Sequence, residues 1–445
     1  MIGYERAAYA AFSGRRRARR LGLAILLGLL ALSGLTPAVR AQSRLDPSRV
    51  WTLAQLIEVS TEVNPVIRAA RNRWYSALHS IKQNYAPADP VFSYFNVDSP
   101  KNPFIGATEH SFIVSEQFQF PGKALLQAKT ARRSARIARL AYQAAVRDIR
   151  AQTESAYYQA LLDGELVKVN ADNVEALRRV LKVTQVAYAA GQVTQTDFIS
   201  AEFDLAAAEQ LQRQFEVNAQ NDKTALNQLL YRRPDEPLKL SGELALKPLK
   251  VPVDRLVARA TARRQEILQM ALAEHNSETA LELARLEYAP DYLIGYEFDS
   301  FVLPSAAPAP TFLRDHSLLV GINVPLFFWI KQDEDVRRAR YDLEAARDDV
   351  GSIRSQTEAA VTTLYRNARL AYDTALLYRD SLIALARQDF EVALIAYQSG
   401  KIDFATLTQA LKRSYDARVA YLQGTNQFLA GVVALEQTVG EPLAQ

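Results

Sequence analysis

The sequence predicts a mainly α-helical protein with a small β part, arranged as two internal repeats. Three observations lead there. First, short motifs recur at long range. His110-Ser111-Phe112-Ile113-Val114 is echoed by His316-Ser317-Leu318-Leu319-Val320, 206 residues on, and Ala187-Tyr188-Ala189-Ala190-Gly191 by Ala396-Tyr397-Gln398-Ser399-Gly400, 209 residues on. So large a period marks two structural halves and not a solenoid. Second, the stretches 123–190 and 331–399 contain no proline and one glycine each, Gly164 and Gly351. Third, alternating segments at about 90–98, 110–120, 291–301 and 315–327 come as one pair per half.

Residues 1–41 stand apart as an expected export signal. Arg15, Arg16, Arg17, Arg19 and Arg20 precede the apolar run from Leu21 to Leu35, and Val39-Arg40-Ala41 offers small residues at the cleavage positions. The run is shorter than the roughly 20 residues a spanning helix needs. This segment carries seven Arg and one Glu, so the remaining chain has 46 basic and 48 acidic residues, a net charge of −2. No nucleic-acid partner is indicated. With no cysteine, there is no disulfide and no lipidated N-terminal cysteine. Beyond residue 41 no stretch of about 20 residues is apolar throughout, so any membrane crossing falls to strands.

The repeats divide the chain at 42–240 and 241–445. Each opens with a helical pattern, from Leu53 to about Asn84 and from about Val253, ended by Tyr85-Ala86-Pro87 or Tyr288-Ala289-Pro290. Asn64-Pro65 is expected to kink or restart the first. The strand pairs follow. Phe112, Val114, Phe118 and Phe120 share one face, with Ser115, Gln117 and Gln119 on the other. Tyr292, Ile294, Tyr296 and Phe298 oppose Gly295, Glu297 and Asp299; Leu318, Val320, Ile322 and Val324 oppose Gly321 and Asn323. That alternation suits a strand between lipid and a wet lumen, and equally a sheet with a core on one side. Glu116 breaks the apolar face, and a membrane edge is its least costly place. Turn-rich loops, 99–103 and 304–310, join the strands of each pair. Phe327-Phe328-Trp329 closes the last strand, where core packing and a membrane interface are both open readings.

At about 1.5 Å per residue, each long stretch is a helix of roughly 100 Å. Leu162, Leu166, Val169, Asn173, Ala176, Val180, Val183 and Ala187 alternate by four and three, a coiled-coil seam. Shifting by 209 gives the second seam: Ala371, Ala375, Tyr378, Leu382, Leu385, Asp389, Val392 and Ala396. Each helix is expected to turn at a tip, 190–194 or 399–403, on Gly191 or Gly400. Thr194 and Asp403 are the caps of the return helices. Residues 231–252 link the halves.

Nothing marks an enzyme. The four histidines, His79, His110, His275 and His316, make no metal-spaced pair, and there is no phosphate loop or nucleophile elbow. No cofactor and no metal centre are expected. The tips are the candidate sites. Gly191, Gln192 and Val193, with Gly400, Lys401 and Ile402, form candidate docking points for another coiled coil. Thr196, Asp197, Tyr397 and Lys401 lie beside them; several protomers meeting here would let Asp–Lys pairs and tyrosine hydrogen bonds tie a pore shut.

In order, the chain resembles the TolC family of trimeric outer-membrane efflux channels. The resemblance runs over the whole processed chain: a helix with Asn64-Pro65, a strand pair, Phe120-Pro121-Gly122-Lys123 opening a long helix, a Tyr-x-x-Gly tip, a return helix, a linker, then the series again. The stretch from Gly400 to Gly440 is similar to the family's last helix, and Phe-Pro-Gly-Lys looks like the branch serving heavy-metal and small-molecule pumps. The resemblance implies four strands per protomer in a twelve-stranded barrel of a homotrimer. It implies a coiled-coil helical tunnel across the periplasm, and tips that meet an adaptor protein joined to an inner-membrane pump of RND or ABC type. Thr196 and Asp197 match gate positions in the first repeat and Tyr397 in the second. Ile402, Thr406 and Gln409 stand where the family's best-known gate has an arginine and acids, so Lys401 is the local cation. The expected role is a passive conduit of the outer membrane; a periplasmic coiled-coil adaptor is the alternative.

Overall fold

The computed structural model describes residues 50–98, 108–303 and 311–443. The signal segment 1–41 and the strand-joining loops 99–103 and 304–310 lie outside the described residues.

Each half runs through the same order of elements. In the first, β1 (Val50–Trp51) and α1 (Leu53–Val63) lead to α2 (Pro65–Gln83), β2 (Val91–Asp98), β3 (Thr108–Phe118), α3 (Lys123–Ala189) and α4 (Gln195–Leu229). In the second, β4 (Lys239–Leu240) and α5 (Val253–Arg263) lead to α6 (Gln265–Leu286), β5 (Tyr292–Leu303) and β6 (Thr311–Ile322). A descending helix follows in two parts, α7 (Gln332–Leu377) and α8 (Ile383–Gln398), joined by a π-helical turn at Tyr378–Leu382, and α9 (Phe404–Val439) returns.

Asn64 restarts the chain and does not merely bend it. Its side chain accepts from the Val66 N–H at 2.9 Å, and Pro65 takes a first-turn position where no N–H is needed. Arg264 makes the same extended break before α6 without a proline.

The long helices form a wall one helix thick. Near the sheet, α3 packs between α2 and α6, and α6 packs on α7. Toward the tips α3 packs between α4 and α9, and α9 packs on α7 and α8. The wall therefore has two edges, α2 and α4 on one side and α7 with α8 on the other. At 67 residues, α3 is about 100 Å long.

Four antiparallel strands stand at one end, in the order β2-β3-β5-β6. The register places Phe112 opposite Phe298, Val114 opposite Tyr296 and Phe118 opposite Tyr292. Tyr296 in turn faces Leu318, and Ile294 faces Val320. The expected apolar faces thus merge into one, and none of the described residues covers it: Phe92 is 77 % exposed and Leu318 74 %. A sheet packed on a water-soluble core would bury this side. Here the opposite face holds the buried Ser111, Gly295 and Asp299. No helix among the described residues is long and apolar enough to cross a membrane. Glu116 faces Ile294, two residues from the end of β3.

The structure corrects two expectations. The fourth strand occupies 311–322 and not 315–327, because Pro325 cannot donate to the ladder and residues 326–331 turn into α7. The exposed Phe327, Phe328 and Trp329 belong to that turn. The second seam is also displaced. All eight first-repeat seam residues are buried or half-buried. In the second, the expected positions hold down to Leu382, but Leu385, Asp389 and Val392 are exposed, while Phe390, Ala393 and Tyr397 are buried. The π turn adds one residue to a helical turn, so the buried face moves on by one.

Candidate functional site: the hairpin tips and their collar

Both tips close by the same backbone device. Gly191 and Gly400 sit in the left-handed region, at φ 72° and 68°. The N–H of Gln192 donates to the Ala187 carbonyl, and that of Lys401 to the Ala396 carbonyl, each at 2.9 Å. These bonds satisfy carbonyls that the helix end leaves orphaned.

The return helices differ at their caps. Thr194 forms a reciprocal box with Asp197: the Asp197 N–H donates to Thr194 Oγ1 at 3.2 Å, and the Thr194 N–H and hydroxyl donate to Asp197 Oδ2 at 3.0 and 2.9 Å. Asp403 instead accepts from the Thr406 N–H at 2.9 Å, and its contacts with Thr406 hold its carboxyl below the usual range.

Between the tips lies a shared core. Val180 from α3, Ala201 from α4, Phe390 and Tyr397 from α8, and Phe404 and Leu407 from α9 pack into one cluster. Val193 and Ile402 turn inward onto it and are half-buried. The exposed tip surface is therefore Gly191, Gln192, Gly400 and Lys401, with Thr196 on the first turn of α4.

The four expected gate residues fall into different settings. Thr196 is exposed. Asp197 is engaged as a cap through Oδ2, and its Oδ1 makes no hydrogen bond among the described residues. Lys401 is exposed, with no ion-pair partner among the described residues. Tyr397 is 6 % exposed, its hydroxyl 3.4 Å from the Thr184 hydroxyl across the two hairpins and its ring edge-on to Phe404. Its repeat counterpart Tyr188 is 42 % exposed and stacks on Phe198. No contact joins Asp197 to Lys401 within the protomer.

Further ties between the hairpins escape sequence reasoning, because their partners are far apart in the chain and look like ordinary surface charge. Arg418 on α9 donates to Asp172 on α3 at 2.7 Å, and Asn426 donates to Gln159 at 3.1 Å. In a collar part-way along the wall, where α6 begins against α3, Arg147 on α3 reaches Glu266 on α6 at 2.5 Å, and Arg264 adds a second contact at 3.1 Å. Burial pushes Glu266 upward, but the bonds from Arg147 and Arg264 outweigh it and hold the carboxyl at about 2. Asp222 on α4 behaves oppositely: burial first, then the neighbouring Asp163 carboxyl, push it up to about 7.

At the sheet end, Lys123 is buried and bridges Glu287 and Asp291 at 3.2 and 3.0 Å, while the Phe120 N–H donates to Asp291 at 2.8 Å. Phe-Pro-Gly-Lys thus bolts the first long helix to the entry of β5. No group of acids and histidines able to hold a metal is present among the described residues.

An open sheet with a bare apolar face, set on a helical wall a hundred ångströms long and ending in paired glycine tips, defines a class: the outer-membrane efflux channels of TolC type. The chain is similar to the outer membrane efflux protein family, whose model matches residues 256–441. It is 21 % identical over 323 residues to the cobalt-zinc-cadmium resistance protein CzcC of Cupriavidus metallidurans, covering 72 % of this chain and 74 % of that protein. Among solved structures it is similar to the outer membrane protein VceC of Vibrio cholerae, with a TM-score of 0.73 at 14 % identity over 88 % of this chain and 97 % of that one. The CmeC outer membrane channel of Campylobacter jejuni gives 0.71 at 14 % identity, over 87 % and 85 %.

Proposed function

We propose that three copies close into one passive conduit, with a shared twelve-stranded barrel in the outer membrane and a helical tunnel in the periplasm. Adaptor docking at 191–193 and 400–402 opens the tips, and an inner-membrane pump of RND or ABC type supplies the energy. The observation that carries this reading is the protomer's pair of unclosed edges. Strands β2 and β6 both end the sheet, and in lipid every unpaired backbone group is costly, so the sheet needs closure. The wall edges below them carry exposed apolar residues as well, Ile199 and Phe203 on α4 and Leu385 and Val392 on α8.

A ring built head to tail joins one edge to the other and stops when the rotation closes. A periplasmic adaptor needs only one hairpin, whereas this protomer has two packed as a unit beside a four-stranded sheet. The gate is proposed to include a bond from Asp197 Oδ1 to Lys401 across a subunit boundary. Fractionation and native mass measurement test the assembly: outer-membrane protein of three processed chains is expected, and a water-soluble monomer would overturn it. For the gate, Lys401→Glu and Asp197→Lys should each raise the conductance of trimers in a planar bilayer; unchanged conductance in both excludes that bond.

A further inference from the structure

Near the sheet, the first half of the wall is basic. Residues 65–83 and 123–147 carry eleven Lys and Arg and no Asp or Glu. The corresponding stretches of the second half, 265–286 and 332–356, carry six Lys and Arg against eleven Asp and Glu. That half also pairs its cations locally: Arg337 meets Glu334 at 2.8 Å and Arg338 meets Asp335 at 3.1 Å. In the first half, Lys129 and Arg133 turn toward α6, reaching Glu282 at 3.9 Å and Thr279 at 2.6 Å. Arg132 and Arg136 do not. Both are exposed and make no hydrogen bond or ion pair among the described residues, which include all of α2, α3 and α6.

Steps of four and three run from Arg132 through Arg136, Arg139 and Arg150 to Thr153 and Tyr157, so these side chains share one face of α3. The lower part of that face carries the short elements: the Thr153 hydroxyl lies 3.0 Å from that of Ser60 on α1, and Tyr157 donates to the Ser241 carbonyl beside β4 at 2.5 Å. Three such additions inside a ring would obstruct the conduit, so this is the outer face. Because α3 packs between α2 and α6, closing the wall's edges leaves it open. Next to the arginines, Trp74 of α2 stacks on Tyr75 and Tyr142 with ring centres 5.4 and 5.9 Å apart. Arg139 sits 5.7 Å over Trp74, and Tyr75 is 48 % exposed.

Resting on the conduit reading, we infer that this basic and aromatic ridge binds the cell-wall polymer of the periplasm. Its peptide stems carry free carboxylates for Arg132 and Arg136, and its sugar rings offer apolar faces to Tyr75 and Trp74. Distance excludes the membrane as the partner. Phe327 lies beside Lys123 where α3 begins, and Arg136 and Arg139 are about 20 and 24 Å further down the helix. A lipid headgroup layer is only about 5–8 Å deep.

The test is co-sedimentation of purified trimers, their mass verified first, with cell-wall sacculi stripped of protein by hot detergent and protease. The wild type should sediment at about 0.1 M NaCl and be released at about 1 M, where the screening length falls from about 10 to about 3 Å. Arg132→Glu/Arg136→Glu should weaken binding about fivefold or more, and Arg132→Lys/Arg136→Lys should restore most of it. Tyr75→Ala should weaken it independently. Arg337→Glu/Arg338→Glu, in the second half, should bind as the wild type does. Sacculi whose carboxylates have been amidated should lose the trimers. Intact trimers that fail to sediment overturn the inference alone, as does binding that survives the charge reversal or the amidation, or binding to phosphatidylglycerol vesicles in place of sacculi. A failure of the conduit reading shows earlier, in the mass.

Discussion

The two hairpins have nearly the same sequence architecture and different interiors. The descending runs Lys123–Ala189 and Gln332–Gln398 are equal in residue number, and both turn on a glycine three residues beyond a tyrosine. In the first hairpin the helix is continuous and Tyr188 points outward. In the second, the π turn at Tyr378–Leu382 rotates everything below it by about one residue, so Tyr397 points inward. Equivalence in sequence is therefore not equivalence in space. The second tip is pinned to the first through Thr184 and the shared cluster, while the first presents its aromatic pair, Tyr188 and Phe198, to the surroundings. A gate made of these tips is asymmetric from the start.

The comparison breaks most cleanly at the π turn. Inserting one alanine after Ser381, below which the π turn has already moved the face on by one, should return the seam to Leu385, Asp389, Val392 and Ala396. Phe390 and Tyr397 would leave the core and Asp389 would enter it. At about 1.5–3 kcal/mol per large apolar side chain, the loss is about 4 kcal/mol. Limited proteolysis should then cut the second tip and spare the first. Equal resistance of both tips would show that the phase shift is unimportant.

Tyrosine truncation sharpens the same point. Tyr397→Ala should cost about 3 kcal/mol, the usual loss for a buried ring, and Tyr188→Ala under about 1 kcal/mol. Thermal unfolding of the two variants reads the difference directly. At the collar, Arg147→Ala should cost about 2–4 kcal/mol by leaving Glu266 half-buried without its main partner.

One pH effect belongs to the first hairpin. Asp222 keeps its proton up to about pH 7 in the folded protein, whereas the unfolded chain releases it near 3.8. Folding therefore binds a proton in that window, and stability falls as pH rises through it, then levels off above 7. The melting temperature should be a few degrees higher at pH 5.5 than at pH 8. Asp222→Asn should flatten that slope, and a slope unchanged by the variant would assign it elsewhere.

The smallest expected effect is one the hairpins share. Gly191→Ala and Gly400→Ala should each cost about 1 kcal/mol, equally, because both have positive φ and neither Cβ would meet an atom within 4 Å.

Much of this was legible in the sequence because it rests on short-range rules. Period-two alternation gave the strand faces, and the register carries them across β3, β5 and β6. Glycine spacing located both tips, and Thr194 and Asp403 are the caps they were expected to be. What was not legible depends on three-dimensional company. A π turn leaves no compositional mark, so Leu385, Asp389 and Val392 looked as good a seam as Phe390, Ala393 and Tyr397. Val193 and Ile402 were read as tip surface, but the cluster between the hairpins draws them in. Asp172, Arg418, Arg147 and Glu266 resemble solvated helix charges until the wall brings them together.

Edge-to-edge closure is most directly tested by disulfide trapping, which the absence of native cysteine makes clean. Ile199 and Val392 lie on opposite edges of the wall, each eight residues from its tip glycine and each exposed. Oxidising the double variant Ile199→Cys/Val392→Cys in intact outer membranes should give covalent dimers and trimers and no larger species, with neither single variant doing so beyond background. A product confined to the monomer, or a ladder running past the trimer, would contradict a closed ring of three.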